Sequence, residues 1–184
     1  KAQDINFKEE NLSEYYRKII VILSNVKRFY LLFGKENSSV EPSLKHILDR
    51  WIISRLHMVI RNCNTALEEY DPITACNEIQ LFIDELSTWY IRRSRDRFKS
   101  NQKEAVHTLA YVLLNLSKVI APIMPFIAEE IYQDLKSTIK LEESVHLDSW
   151  PISDPKLIDE KLHEAMNLCR DVVSKALDVR EKEK

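Results

Sequence analysis

Residues 89–98 read Trp-Tyr-Ile-Arg-Arg-Ser-Arg-Asp-Arg-Phe, which sets four arginines among aromatic side chains. This is a chemistry for gripping RNA. A planar guanidinium forks onto phosphate oxygens and stacks on bases, while Trp89 and Tyr90 offer flat faces to unstacked nucleotides. Across residues 89–103, Arg92, Arg93, Arg95, Arg97, Lys99 and Lys103 stand against Asp96 alone, in a chain whose formal net charge is only -2. Any nucleic-acid contact must therefore come from this local patch rather than from the overall charge. A helix end that complements its own dipole accounts for two or three of these cations, not six.

The elements that carry the run are expected to be helices. A chain of 184 residues with 45% hydrophobic content can bury a real core, yet it holds one glycine and six prolines. It lacks the turn residues that hairpins or βαβ units need, so the fold class is all-α. A first helix begins at Asn11, paired with Glu14 as a capping box, and stops at Gly34. After a polar loop over 35–43, a second carries Leu48, Ile52, Leu56, Val59, Cys63, Leu67 and Tyr70. Asp71-Pro72 reads as the N-cap and first turn of a third, with Cys76, Ile79, Phe82, Ile83, Leu86 and Tyr90 as its stripe. A fourth carries Val106, Leu109, Leu113, Leu116 and Ile120 until Pro122 and Pro125 break or kink it. Its apolar stretch, 109–128, contains Asn115 and Lys118 and reads as a buried bundle helix rather than a membrane span. Residues 144–151 form an extended or looped stretch. A last helix, capped by Asp154-Pro155, carries Ile158, Leu162, Ala165, Cys169, Val172, Ala176 and Val179. The expected division is a helical bundle over 1–141, with a loop and C-terminal helix over 142–184 packed on it or extending from it. Lys1 and the uncapped end read as cut edges of a longer protein.

Helical phase divides the arginines. At roughly 100° per residue, the core stripe through Leu86 and Tyr90 continues onto Arg93 and Arg97. Either the helix has run past the bundle there, or these two fold back onto carboxylates inside the protein. Arg92, Arg95 and Lys99 fall on the outward side, one ridge apart, and can reach a phosphate backbone. Trp89 flanks the stripe, where an indole packs or stacks on a base. Trp51 reads as core, and Lys27-Arg28-Phe29-Tyr30 forms a weaker basic-aromatic patch.

Catalytic chemistry is sparse. No glycine-rich phosphate loop and no activated nucleophile is legible, and the acidic pairs read as solvated faces. The five histidines make no pair at ligand spacing with a cysteine or carboxylate, so no metal site is expected. Cys63, Cys76 and Cys169 read as buried thiols of a reducing, cytoplasmic setting.

Four segments occur together in a telling order: Leu-Asp-Arg-Trp-Ile-Ile-Ser-Arg-Leu at 48–56, the arginine run, Ala-Pro-Ile-Met-Pro-Phe-Ile-Ala-Glu-Glu-Ile-Tyr at 121–132, and Val-His-Leu-Asp-Ser-Trp-Pro at 145–151. Over most of its length the chain resembles the anticodon-binding helical domain of class I aminoacyl-tRNA synthetases. The arginine run points to the isoleucyl branch more than to the valyl, leucyl or methionyl ones. The resemblance implies a helical bundle that grips the anticodon stem-loop of tRNA(Ile), and a catalytic core elsewhere in the same polypeptide that uses ATP and magnesium. It implies no cofactor in this chain, no membrane, and a monomeric domain. Arg92, Arg95, Lys99, Trp89, Tyr90, Arg93 and Arg97 are the implied tRNA-binding residues. One departure is that Phe98-Lys99 stands where the family run is often followed by tryptophan. The alternatives are a helical protein-interaction module within a synthetase complex and the anticodon-binding domain of a related class I synthetase, the valyl one.

Overall fold

Asp71 caps the helix that follows it, as its place before Pro72 predicts: its Oδ1 accepts the Thr74 N–H at 3.1 Å and its Oδ2 the Thr74 hydroxyl at 2.6 Å. The computed structural model describes residues 13–34 and 39–183, and every regular element among them is helical. A π-helical turn, Tyr16–Val21, leads into α1, Ile22–Phe33. Then follow α2, Ile47–Glu68; α3, Pro72–Asp84; a π-helical stretch, Glu85–Ile91, which passes directly into α4, Arg92–Lys99; α5, Lys103–Ile120; and α6, Pro125–Lys136. A three-residue 3-10 turn, Pro155–Leu157, precedes α7, Glu160–Lys182.

Several boundaries differ from the sequence expectation for physical reasons. Asn11, the expected first cap, lies outside the described residues, as do residues 35–38 of the loop. Gly34 ends α1 at φ -90°, without the left-handed turn that a glycine stop implies. It is needed for closeness instead, because a Cβ there would meet the Tyr30 ring at 2.7 Å. Tyr70 is not core. It sits beyond the end of α2 at φ 59° and is 92% exposed. Asp154-Pro155 opens only the 3-10 turn, and α7 is capped by Asp159, whose Oδ1 accepts the Leu162 N–H at 3.0 Å. Pro122 and Pro125 break the fourth stripe completely, and Pro125 becomes the first residue of α6. Among the described residues no helix is long and apolar enough to cross a membrane.

The core sits around α2. Seven consecutive residues, 51–57, are buried, which an amphipathic surface helix never allows; over this stretch α2 is covered on all sides. Trp51, Ile52, Ile53, Leu56, Val59 and Ile60 meet Ile79, Phe82 and Ile83 of α3 and Leu109, Leu113 and Leu116 of α5 in one core cluster. Burial on this scale stabilises each Leu, Ile or Phe by roughly 1.5–3 kcal/mol. The price of encirclement is that Asp49, Ser54, Arg55 and His57 are buried too, and each must find a partner. Ser54 Oγ accepts the Asp159 N–H at 2.7 Å, and the His57 ring pairs with the Tyr111 hydroxyl at 2.8 Å while its Nδ1 accepts the Asp154 N–H at 3.0 Å. These bonds, with Trp150 Nε1–H donating to Asn64 Oδ1 at 2.6 Å, lay residues 150–159 along α2.

The cysteine expectation is corrected in two of three positions. Cys63 is buried, and burial pushes its thiol up to about 11. Cys76 and Cys169 are exposed, because Ala75 rather than Cys76 faces the core from α3, and α7 buries only Met166. The stripe of Ala165, Cys169, Val172, Ala176 and Val179 therefore faces solvent.

His57 gives the fold a pH dependence. Burial holds its imidazole below the ordinary histidine value, with Asp154 opposing. Above about pH 6.5 the ring is neutral in folded and unfolded chain alike. As the pH falls through that value the unfolded chain takes up the proton first, so folding loses stability. Thermal midpoints should fall between neutrality and mildly acid pH, and the slope should shrink in His57→Gln. His163, also held low by burial and by Arg55, leaves a residual slope. An unchanged slope in His57→Gln contradicts the assignment.

Candidate nucleic-acid interface

The arginine run is positioned by the π-helical stretch before it. A π turn takes in an extra residue, so a projection at constant α-helical pitch slips by one position across Glu85–Ile91. Leu86 and Tyr90 are buried as expected, but the inward positions then fall on Ile91, Ser94 and Phe98 rather than on Arg93. Ser94 occupies the place that the projection gave to Arg93. Phe98 anchors the far end of α4, its ring edge-on to Phe29 at 4.9 Å and tilted against Phe33 at 5.8 Å. The arginine-bearing helix thus lies along the bundle instead of projecting from it.

Each expected contact residue can now be placed. Arg92, Arg95 and Lys99 are exposed, on the outward ridge. Arg93 is exposed as well, a correction to the inward assignment; its guanidinium lies over the Trp89 ring, 4.7 Å from the centroid. Trp89 is half-buried, with Nε1–H donating to Met166 Sδ at 3.1 Å. Its indole packs between α7 and Arg93, and one face is already stacked. Arg97 turns inward: Nη1 and Nη2 donate to Asp49 Oδ1 and Oδ2 at 2.8 and 2.6 Å. That carboxylate holds the Arg97 guanidinium further up in pKa, although partial burial opposes it. Tyr90 is fully buried and donates its hydroxyl to Asp49 Oδ1 at 2.8 Å. Burial, then Asp49, push its pKa well up. Tyr90 and Arg97 are therefore committed to the protein, which corrects their expected contact with bases or phosphates. In the weaker patch, Lys27 is likewise committed, to Glu130 and to Asp134, while Arg28 is exposed.

Two open grooves flank the ridge. The larger, about 890 Å³, lies between Thr88, Trp89, Arg92 and Arg93 on one side and α7 on the other. The smaller, about 430 Å³, is bounded by Asn25 and Phe29 of α1 and by Ser87, Ile91, Arg92 and Arg95. Arg92 lines both and stands on the crest between them. A polyanionic strand laid over this crest meets several exposed guanidinium groups, with a concave surface on either side. Asn167, Ser174 and Arg180 of α7, which complete the larger groove, were not legible in the sequence. The only hint was the recurrence of arginine at 170 and 180 on an apparently apolar helix.

Comparison with known proteins decides what this arrangement belongs to. The family model described as the anticodon-binding domain of tRNA ligase matches residues 49–184. The chain belongs to that family. Its match begins at Asp49, the buried carboxylate that holds Arg97, and includes the whole arginine run. The chain is 44% identical to the isoleucine–tRNA ligase of Cutibacterium acnes, over 90% of this chain and 18% of that protein. It is 39% identical to the isoleucine–tRNA ligase of Clostridium acetobutylicum, over 91% of this chain and 17% of that protein. The chain thus spans under a fifth of the curated relatives' length. Among solved structures it superposes on LeuRS of Agrobacterium radiobacter K84, from a ternary complex with tRNA and LeuAMS, with a TM-score of 0.60 and 19% identity, covering 84% of this chain and 18% of that one. At that identity the likeness concerns the fold, an all-α bundle of the anticodon-binding type.

Proposed function

We propose that this anticodon-binding domain recognises the anticodon stem-loop of tRNA(Ile) as part of an isoleucine–tRNA ligase. The observation that carries the reading is the crest of exposed Arg92, Arg95 and Lys99, set beside two grooves and held in place by a buried Asp49 anchor. Arg92, Arg95 and Lys99 position the phosphate backbone, which fixes register, and the grooves receive unstacked bases. The isoleucine branch is favoured by the relatives at 36–44% identity. On this reading the domain works as a monomer in the cytoplasm. The intact polypeptide uses ATP and magnesium, bound in its catalytic core, to join isoleucine to the tRNA. Among the described residues no three His, Cys, Asp or Glu side chains are grouped to hold a metal.

A filter-binding titration at low salt, using the polypeptide that carries this chain, tests the assignment. The expected result is tighter binding of tRNA(Ile) than of a tRNA differing only in its anticodon. Equal affinity for both contradicts anticodon recognition. No affinity for either favours the protein-docking alternative, for which the exposed stripe of α7 offers a surface.

A further inference from the structure

α7 forms one wall of the larger groove, yet the bundle holds it loosely. Met166 is its only buried residue, and beyond Val173 the described helix is exposed. Its start is tied to α2 by the bond from the Asp159 N–H to Ser54 Oγ and by surface pairs, Arg50 with Asp159 at 3.1 Å and Arg61 with Glu160 at 3.7 Å, of the kind that contribute little. Beside the groove α7 is held by partly buried polar ties, Met166 to Trp89 and Arg170 to Glu85. Arg170 Nη1 reaches Glu85 Oε1 at 2.6 Å, and Nη2 lies 3.9 Å from Asp84. The other oxygen of Glu85 accepts from Arg55 Nε at 2.7 Å, and Arg55 also pairs with Glu78 at 3.3 Å. The Glu85 side chain is 2% exposed and opens the π-helical stretch that sets the phase of the arginine run. One carboxylate is therefore shared between a core arginine and an arginine from α7.

We propose that Arg170 is a positioning residue: by sharing the buried Glu85 carboxylate with Arg55, it seats α7 against Trp89 and holds the larger groove at a width that admits a nucleotide. The inference rests on the RNA-binding reading above. The groove volume of about 890 Å³ falls in the range of small-ligand sites, roughly 300–1,000 Å³. Arg170 lines this groove but is not itself a phosphate ligand. Its guanidinium is engaged by Glu85, and drawing it off leaves a buried carboxylate with Arg55 as its remaining partner. Met166, one turn before Arg170, and Trp89, four residues after Glu85, are joined through Sδ and Nε1 and report on the same seating.

The test uses the polypeptide that carries this chain, with each variant also made in a Trp89→Phe background, so that the quenching due to the half-buried Trp89 is obtained by difference. Arg170→Gln is expected to lower tRNA affinity about tenfold and to raise acrylamide quenching of Trp89, with helicity unchanged. Arg170→Lys, which keeps the charge but loses the fork, should restore part of both. Glu85→Gln separates positioning from direct contact: it should weaken binding as Arg170→Gln does, and the double variant should add little. Binding that is unchanged or tighter in Glu85→Gln overturns the proposal, since a freed Arg170 is then the ligand. Unchanged Trp89 quenching in Arg170→Gln also overturns it, as does raised quenching with undiminished affinity. If the unsubstituted protein binds no tRNA, the RNA reading fails and the groove's role with it, while the quenching still decides whether Arg170 seats α7.

Discussion

Asp49→Ala is expected to destabilise the protein by about 3 kcal/mol, the lower end of what breaking a buried ion pair costs, and to lower its melting temperature by roughly 6–12 °C for a chain of this size. The Asp49 side chain is fully buried and is the shared acceptor for Tyr90 and both terminal nitrogens of Arg97. Removing it strands a guanidinium that is 11% exposed and a phenol that has no exposure at all. Gln102, which accepts from Arg97 Nε at 3.1 Å, offsets a little of the loss. Asp49→Ala combined with Arg97→Met should recover part of the stability, because a buried pair replaced on both sides leaves no orphaned charge. Denaturant melts of the two single variants and the double variant measure this. A single-variant loss under 1 kcal/mol, or no recovery in the double, contradicts the account of Arg97 as an internal tie.

This ion pair also shows how far the sequence could be read. For Arg97 the helical projection leaves two courses open, a helix run past the bundle or a return onto a carboxylate, and the structure takes the second; which carboxylate, 48 residues away, nothing local could say. Arg93 was read inward by the same projection and faces out, because the π-helical stretch shifts the phase by a residue and no residue type announces such a turn. The apolar periods of α2, α3 and α5 are legible since they repeat over several turns, and only Tyr70 and Cys76, at the ends of their stripes, are exposed. The proline break and the Asp71-Pro72 start follow from backbone chemistry that needs no tertiary context. The stripe of α7 misled for the opposite reason: period 3.6 states that a face is apolar, not that anything here covers it. Arg170 and Glu85 are 85 residues apart, and their pairing exists only in the folded chain.

Arg92→Ala with Arg95→Ala carries the largest functional effect. Both side chains are exposed, Arg92 lines both grooves, and neither has a side-chain hydrogen bond or ion pair among the described residues that its loss would break. Stability should move by no more than about 0.5 kcal/mol. If each guanidinium neutralises one phosphate, the slope of log affinity against log salt should flatten by about 0.7–0.9 per arginine, and affinity at moderate salt should fall at least about tenfold. Lys99→Ala, at the end of the same ridge, should act in the same direction with a smaller effect, since an ammonium cannot fork onto a phosphate.

The account's central claim is that the outward ridge of the arginine run, rather than its inward member, meets the RNA backbone. The most direct measurement is a salt series of equilibrium titrations with tRNA(Ile), comparing unsubstituted protein with the Arg92→Ala, Arg95→Ala double variant. A shallower salt slope with weakened affinity and an unchanged melting temperature is the predicted result; affinity and slope indistinguishable from the unsubstituted protein would contradict it.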